Sequence, residues 1–243
     1  KTWTLGAHIE NLTLNGSEAV NGYGNALNNY LAGNTAVNIL AGGLGDDSYR
    51  LHTTDDVVVE NSGEGTDTVF AISSWTLTAN IENITLIGIN HVNATGNGLN
   101  NVIIGNAGIN TLTGGLGDDT YYIQNTNDYV IEQHGQGNDT IFSTVSYSLF
   151  GRAIETLVLH GTEALSATGN SLANSLTGNA GDNVLTGLGG NDTYVVQNAG
   201  DKTIENASEG SDTVMSTINW TLSDNVENLT LTGTANLNGT GNA

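Results

Sequence analysis

The sequence predicts an all-β chain wound as a parallel β-roll or β-solenoid, and three observations predict it. The block GGLGDDSY at residues 42–49 returns as GGLGDDTY at 114–121 and as GLGGNDTY at 187–194, so the chain is a tandem array repeating every seventy-two or seventy-three positions. Inside each period runs a nine-residue grammar with Gly first, Asn or Asp sixth and an apolar residue eighth. The third observation is compositional: 33 glycines, no proline and abundant Asn and Thr disfavour helix along the whole length. A repeat unit buries its apolar face only against its neighbours, so the period governs every later inference.

The grammar is clearest at residues 24–50, which read GNALNNYLA, GNTAVNILA, GGLGDDSYR. Eight nines fill one period, so each repeat accommodates four coils of two nines, every coil consisting of two strand-plus-turn halves. Followed through one period, the apolar anchor falls on Leu40, Tyr49, Val58, Val69, Leu77, Leu86, Ala94, Ile103 and Leu112. Segments 57–60 (VVVE), 67–72 (DTVFAI) and 83–87 (NITLI) are β-branched and alternating, as strands are. Gly, Asn and Asp between them tolerate the positive φ of tight turns. One slip is visible. Tyr147 to Glu155 spans one position more than Trp75 to Glu82, which places a bulge or lengthened turn near Phe150, Gly151 and Arg152. We read 1–243 as one continuous solenoid fragment cut from a longer array, with units at approximately 3–74, 75–146 and 147–219 and a partial unit at 220–243.

Charge removes several classes of function. Four basic residues (Lys1, Arg50, Arg152, Lys202) face 25 acidic ones, for a net charge of −21. Nucleic acid is excluded as a partner, because binding it needs Lys and Arg to neutralise phosphates. An anionic membrane surface is excluded for the same reason, and membrane insertion by the lack of a long apolar run. Without cysteine there is neither a disulfide framework nor a thiolate metal site. Such acidity favours disorder in the absence of metal, while the fixed apolar positions favour folding once cations are supplied.

The chemistry lies in the turns. In GGxGxD the glycines let the backbone curl and aim carbonyl oxygens inward, and the sixth-position Asp adds a carboxylate. Hard oxygen donors of this kind suit Ca²⁺, here several ions. The candidate ligands are Gly42, Gly45 and Asp47, then Gly114, Gly117 and Asp119, then Gly187, Gly190 and Asp192. One coil earlier, at an offset of two nines, these acids stack on Asn29, Asn101 and Asn174, which are candidate amide ligands and equally good turn formers. Asp56, Asp128 and Asp201 form a second acidic set, and Asp67, Asp139 and Asp212 a third. Stacked carboxylates with almost no basic partners repel unless cations intervene. Glu60, Glu132 and Glu205 recur just upstream of the third set. The series Glu10, Glu82, Glu155 and Glu227 is read as bracing a turn. The five histidines occupy different repeat positions and Ser, His and Asp form no nucleophile-elbow pattern, so no catalytic residue is assigned.

Recurring in register, these turns alternate with DTVxSS, (W/Y)TLxxxIENLTLxG and GTGNxLxN stretches, and the whole resembles the RTX, or haemolysin-type, calcium-binding repeat family in its long-period form from large secreted bacterial proteins. The resemblance implies a right-handed parallel β-roll, type I secretion, and folding outside the cell on meeting calcium. Leu188 departs from the pattern by replacing the second glycine of the third copy. The expected function is a non-enzymatic, calcium-stabilised rigid extender or filament-forming module of an extracellular surface or matrix protein such as an adhesin. Its expected partners are neighbouring repeats of the same protein and homopolymeric association, end to end or lateral. The alternative is the C-terminal secretion and folding β-roll of a type I secreted enzyme with its catalytic domain elsewhere.

Overall fold

A computed structural model describes residues 1–243 and contains 27 short strands and no helix. The chain divides into two compact units, residues 1–121 with 127–131 and residues 122–126 with 132–243. Each is a parallel β-solenoid.

In the first unit one side carries Asn11–Thr13, Tyr30–Ala32, Ser48–Leu51, Thr68–Ala71, Asn83–Leu86 and Val102–Ile104, each paired in parallel with the next. The other side carries two separate ladders. One runs from Thr2–Thr4 through Asn21–Tyr23 and Ile39–Ala41 to Val57–Val58. The second runs from Trp75–Thr76 through Ala94–Thr95 and Thr111–Thr113 to Tyr129–Ile131. The second unit repeats the plan, with a long side from Thr140–Ser143 to Asn228–Leu231. Opposite it, one ladder runs from Tyr147–Ser148 to Lys202–Ile204, and Trp220–Thr221 begins another.

The coil length of two nines is an average, and the register shows how it is composed. On the long side of the first unit, Asn11 lies opposite Tyr30, Tyr30 opposite Ser48, Ser48 opposite Thr68 and Thr68 opposite Asn83. Those steps are nineteen, eighteen, twenty and fifteen positions long, and together they close on one period. In the second unit the last of them is one longer, with Thr140 opposite Thr156. The extra residue sits in the turn after Leu149, where Gly151 takes a φ of +75°.

Strand residues alternate inward and outward, which follows from the two-residue side-chain period. All nine anchors from Leu40 to Leu112 are buried. The interior is thin, and Gly22 shows how thin: a Cβ there would come within 2.8 Å of Leu12 Cδ2 and 3.1 Å of Leu40 Cδ2.

Candidate metal centre

At the edge of the long side, backbone and side chain interlock from coil to coil. The Asn29 amide donates to Asp47 Oδ1 at 2.6 Å, the Asp47 amide to Asp67 Oδ1 at 2.8 Å, and the Asp67 amide to Glu82 Oε2 at 2.8 Å. The third repeat has the same ladder: Asn174 to Asp192 at 2.6 Å, Asp192 to Asp212 at 2.8 Å, Asp212 to Glu227 at 2.7 Å. Each acid thus has one oxygen pinned by the preceding coil's amide. Its other oxygen is left to something else.

That second oxygen faces a third acid. Asp47, Glu60 and Asp67 are all buried, and their carboxylate oxygens lie within 4.8 Å of one another. Asp192, Glu205 and Asp212 form the same cluster. Glu60 is reached by the Tyr49 hydroxyl, which itself accepts the Gly42 amide at 2.7 Å, and Glu205 by the Tyr194 hydroxyl. Asp47 Oδ2, Glu60 Oε2, Asp192 Oδ2 and Glu205 Oε2 are buried with no hydrogen-bond partner. Ionised oxygens in that condition are costly unless a cation meets them.

Glycine makes room for the cluster. A Cβ on Gly42 would collide with Asp47 Oδ2, and one on Gly187 with Asp192 Oδ2 and Glu205 Oε1. Gly45 and Gly190 hold φ of +109° and +120° and so turn the chain tightly beneath the acids. Leu188 takes φ +72° where the first copy has Gly43 at +98°, so the third turn keeps its shape despite the substitution.

Protonation responds to this crowding. Burial, followed by the neighbouring carboxylates, pushes Glu60 up to about 8. Burial pushes Asp47 up to about 7 against the lowering effect of the Asn29 amide, with Asp67, Asp46 and Glu64 adding to the rise. Asp67 rises to about 6, Asp192 to about 6 and Glu205 to about 7, again chiefly through burial. Asn191 stands where the first copy has Asp46, which removes one charge from beside Asp192.

The remaining sequence-predicted residues fall into two groups. In the second repeat, Asp119 is buried and accepts the Asn101 amide at 2.7 Å, Asp139 is buried with its amide on Glu155 Oε2 at 2.8 Å, and Gly114 and Gly117 keep the glycine geometry of the first turn. The other group lies outside the clusters. Asp56 accepts the amides of Asn38, His52 and Thr53 at 2.9, 3.1 and 3.1 Å, and Asp201 those of Asn183, Gln197 and Asn198 at 2.9, 3.1 and 3.0 Å. Their charge is spent on closing turns. Asp128 likewise accepts the Asn110 amide at 2.8 Å. Asn29, Asn101 and Asn174 use their amide oxygens on the backbone four positions earlier, at 2.7, 2.8 and 2.7 Å. Glu60 and Glu205 were not among the predicted ligands. Their signal was a constant spacing, thirteen positions after Asp47 and after Asp192, which falls outside any nonapeptide.

The profile of the RTX calcium-binding nonapeptide repeat matches residues 23–58, 95–130 and 168–196, in four copies. These are RTX calcium-binding repeats. A curated relative, "Endo-1,3-1,4-beta-glycanase ExsH" of Rhizobium meliloti (strain 1021), is 40% identical over 91 residues, or 37% of this chain. The chain spans about a fifth, 19%, of that relative's length. The acid clusters fit the ion that the RTX repeats imply: the donors are hard oxygens, several have no partner, and no basic side chain neutralises them. Asp47, Glu60 and Asp67, and Asp192, Glu205 and Asp212, would hold calcium. Bound there, it supplies positive charge.

Proposed function

We infer that this RTX chain is a calcium-stabilised structural repeat region, a rigid extender within a large secreted bacterial surface or matrix protein. One observation carries the reading: buried carboxylates with unpartnered oxygens are stacked coil on coil in a chain with only four basic residues. In chelator the ionised acids repel and the stacking of the coils weakens. With calcium the repulsion becomes attraction, and the amide-to-carboxylate ladder locks successive coils in register. Outside the cell calcium is plentiful, so export and folding are coupled. The partners on this reading are adjoining repeats and other copies of the protein, end to end or side by side.

The test is a far-ultraviolet circular dichroism titration of the chain with Ca²⁺, Mg²⁺ and EGTA. The expected result is a calcium-selective gain of β signal with half-saturation between about 10⁻⁴ and 10⁻³ M, the range of extracellular modules. The same β signal and the same urea midpoint in EGTA as in calcium at pH 8, where the acids are ionised, overturn the reading.

The match to a relative named as a glycanase supports a second reading, in which the repeats are the secretion and folding module of an exported polysaccharide-degrading enzyme. The repeats are the non-catalytic part on either reading. Isolating the parent polypeptide and assaying it for glycan cleavage separates the two.

A further inference from the structure

In the first unit, the six strands of the long side hold a single charged residue, Arg50. It stands in an outward row in which Thr13, Ala32, Arg50, Phe70, Thr85 and Ile104 lie opposite one another in turn. Ala32 is the smallest member of that row and is followed by Gly33, so the surface dips between Thr13 and Arg50. The dip is a cleft of about 400 Å³ lined by Tyr30, Ala32, Gly33, Arg50 and His52 together with the loop that follows Thr13. That volume lies within the range of small-molecule sites, roughly 300 to 1,000 Å³.

Three side chains here have donors to spare. The Arg50 guanidinium is exposed and makes neither a hydrogen bond nor an ion pair, although the chain has 25 acidic residues. Glu18, whose carbonyl accepts Asn34 Nδ2 at the rim, spends its carboxylate on Lys1 at 2.7 Å. The Tyr30 hydroxyl and the His52 ring are half-buried and equally without partners; only the His52 backbone is engaged, its amide donating to Asp56 Oδ2 at 3.1 Å. Arg50 and His52 are two positions apart along one edge of the cleft, about 6.6 Å, and Tyr30 is opposite Ser48 on the adjacent strand, about 4.8 Å away. No acidic residue lines the cleft.

The other repeats use these positions differently. The third repeat has Ser175 for Tyr30, Thr177 for Ala32, Val195 for Arg50 and Gln197 for His52. Gln197 Nε2 donates to Gly178 O at 2.7 Å and so ties its coil to the one before. His52 makes no such bond to Gly33, the counterpart of Gly178. The second repeat has Ile104 at the place of Ala32 and Tyr122 at that of Arg50. Notch, cation and unengaged imidazole thus occur together once, and in the first repeat a coil-to-coil tie has been given up for them.

The planar guanidinium fork matches a carboxylate, and the Tyr30 hydroxyl and the His52 N–H add donors beside it. Thr13, Asn15 and Thr35 complete a polar lining, which suits a ligand rich in hydroxyls better than an apolar acid. The net charge of −21 disfavours dianions and polyanions, so the ligand carries one negative charge. We propose that this cleft is a binding site for one singly charged hydroxy acid of monosaccharide size, a uronate.

The test is calorimetric titration of the calcium-saturated chain, verified as folded by circular dichroism, with D-galacturonate, D-galactose and inorganic sulfate at constant free calcium. The expected result is one galacturonate per chain, bound at least about ten-fold more tightly than galactose, as a charge-assisted hydrogen bond provides, and more tightly than sulfate. Arg50→Val and Ala32→Thr each bring in the side chain that the third repeat carries at that position, so the solenoid accommodates them. Each should weaken galacturonate about ten-fold or more and leave the calcium titration unchanged. Galacturonate held by bound calcium instead of by Arg50 would survive Arg50→Val. Unaltered affinity in either variant, the absence of saturable binding, more than one site per chain, or galactose or sulfate binding as tightly as galacturonate overturns the proposal. Because folding is read separately, failure here leaves the calcium reading standing.

Discussion

Single residues in the turns carry separable energies. Ser208 holds φ +71° where the first copy has Gly63 at +82°, and Ser208 is exposed. A left-handed conformation costs a residue with a Cβ roughly 1 to 2 kcal/mol, of which glycine's unfolded-state entropy returns about 0.5 to 1. Ser208→Gly is therefore expected to raise stability in calcium by roughly 0.5 kcal/mol, read from the urea midpoint. Leu188→Gly relieves the same strain but forfeits a half-buried side chain, so its net effect is smaller. Asp47→Asn gives a sharper signature because its sign depends on the metal. Calcium affinity should fall by at least about ten-fold, the loss typical even of a group that only supports a ligand, while in EGTA the variant should be more stable than the parent, since one repelling charge is gone. A variant less stable in both conditions would mean that Asp47 serves the turn alone.

The acid cluster behaves as a coupled element, and its pH response follows from the raised carboxyl groups. Unfolded, Asp and Glu ionise at their ordinary 3.8 and 4.5; folded, Asp67 and Asp192 hold their protons to about 6, Asp47 and Glu205 to about 7 and Glu60 to about 8. The fold binds more protons throughout that window, so stability in chelator is greatest below about pH 4 and is lost as pH rises through 8. Calcium reverses the trend, because it competes with those protons and binds better as they leave. Urea midpoints at pH 5 and pH 8, with EGTA and with calcium, should therefore cross. Parallel curves would show that the clusters do not govern stability. This element was only half legible in the sequence. Asp47 and Asp192 announce themselves within GGxGxD, but Glu60 and Glu205 come from a strand end on the opposite ladder, and only the uneven long step from Ser48 to Thr68, or from Thr193 to Thr213, brings them to the acids. A uniform coil length hides that approach. The strands themselves were readable, because the alternation of inward residues such as Leu31, Tyr49, Val69 and Ile84 with outward neighbours is local to each strand and independent of loop length.

For the whole molecule, a net charge of −21 invites the expectation that any salt would stabilise it. The location of the charge argues otherwise. Mobile ions screen exposed groups with a Debye length of about 10 Å at 0.1 M, but they do not enter buried clusters. Molar sodium chloride should consequently leave the chain's thermal midpoint in EGTA well below that in a few millimolar calcium, where mass action adds RT ln(1 + [L]/Kd) for each site. Equal midpoints in the two solutions would place the stabilising effect at the surface. The fold class and its four-coil unit were evident from the period, whereas the ladder breaks were not, since nothing in the local alternation of residues 57–60 or 75–77 signals that the two strands fail to pair.

The uneven steps also restrict how a gene for such an array can grow or shrink. Gly22, Leu40 and Val58 are evenly spaced on one side, and Tyr30 and Ser48 share that spacing on the other, so a single winding there could be excised by recombination without shifting its neighbours. The long windings from Asn11 to Tyr30 and from Ser48 to Thr68 and the short one from Thr68 to Asn83 compensate only together. Crossing-over that separates them would rotate every downstream side chain out of place, so the acid triad is inherited whole or lost whole.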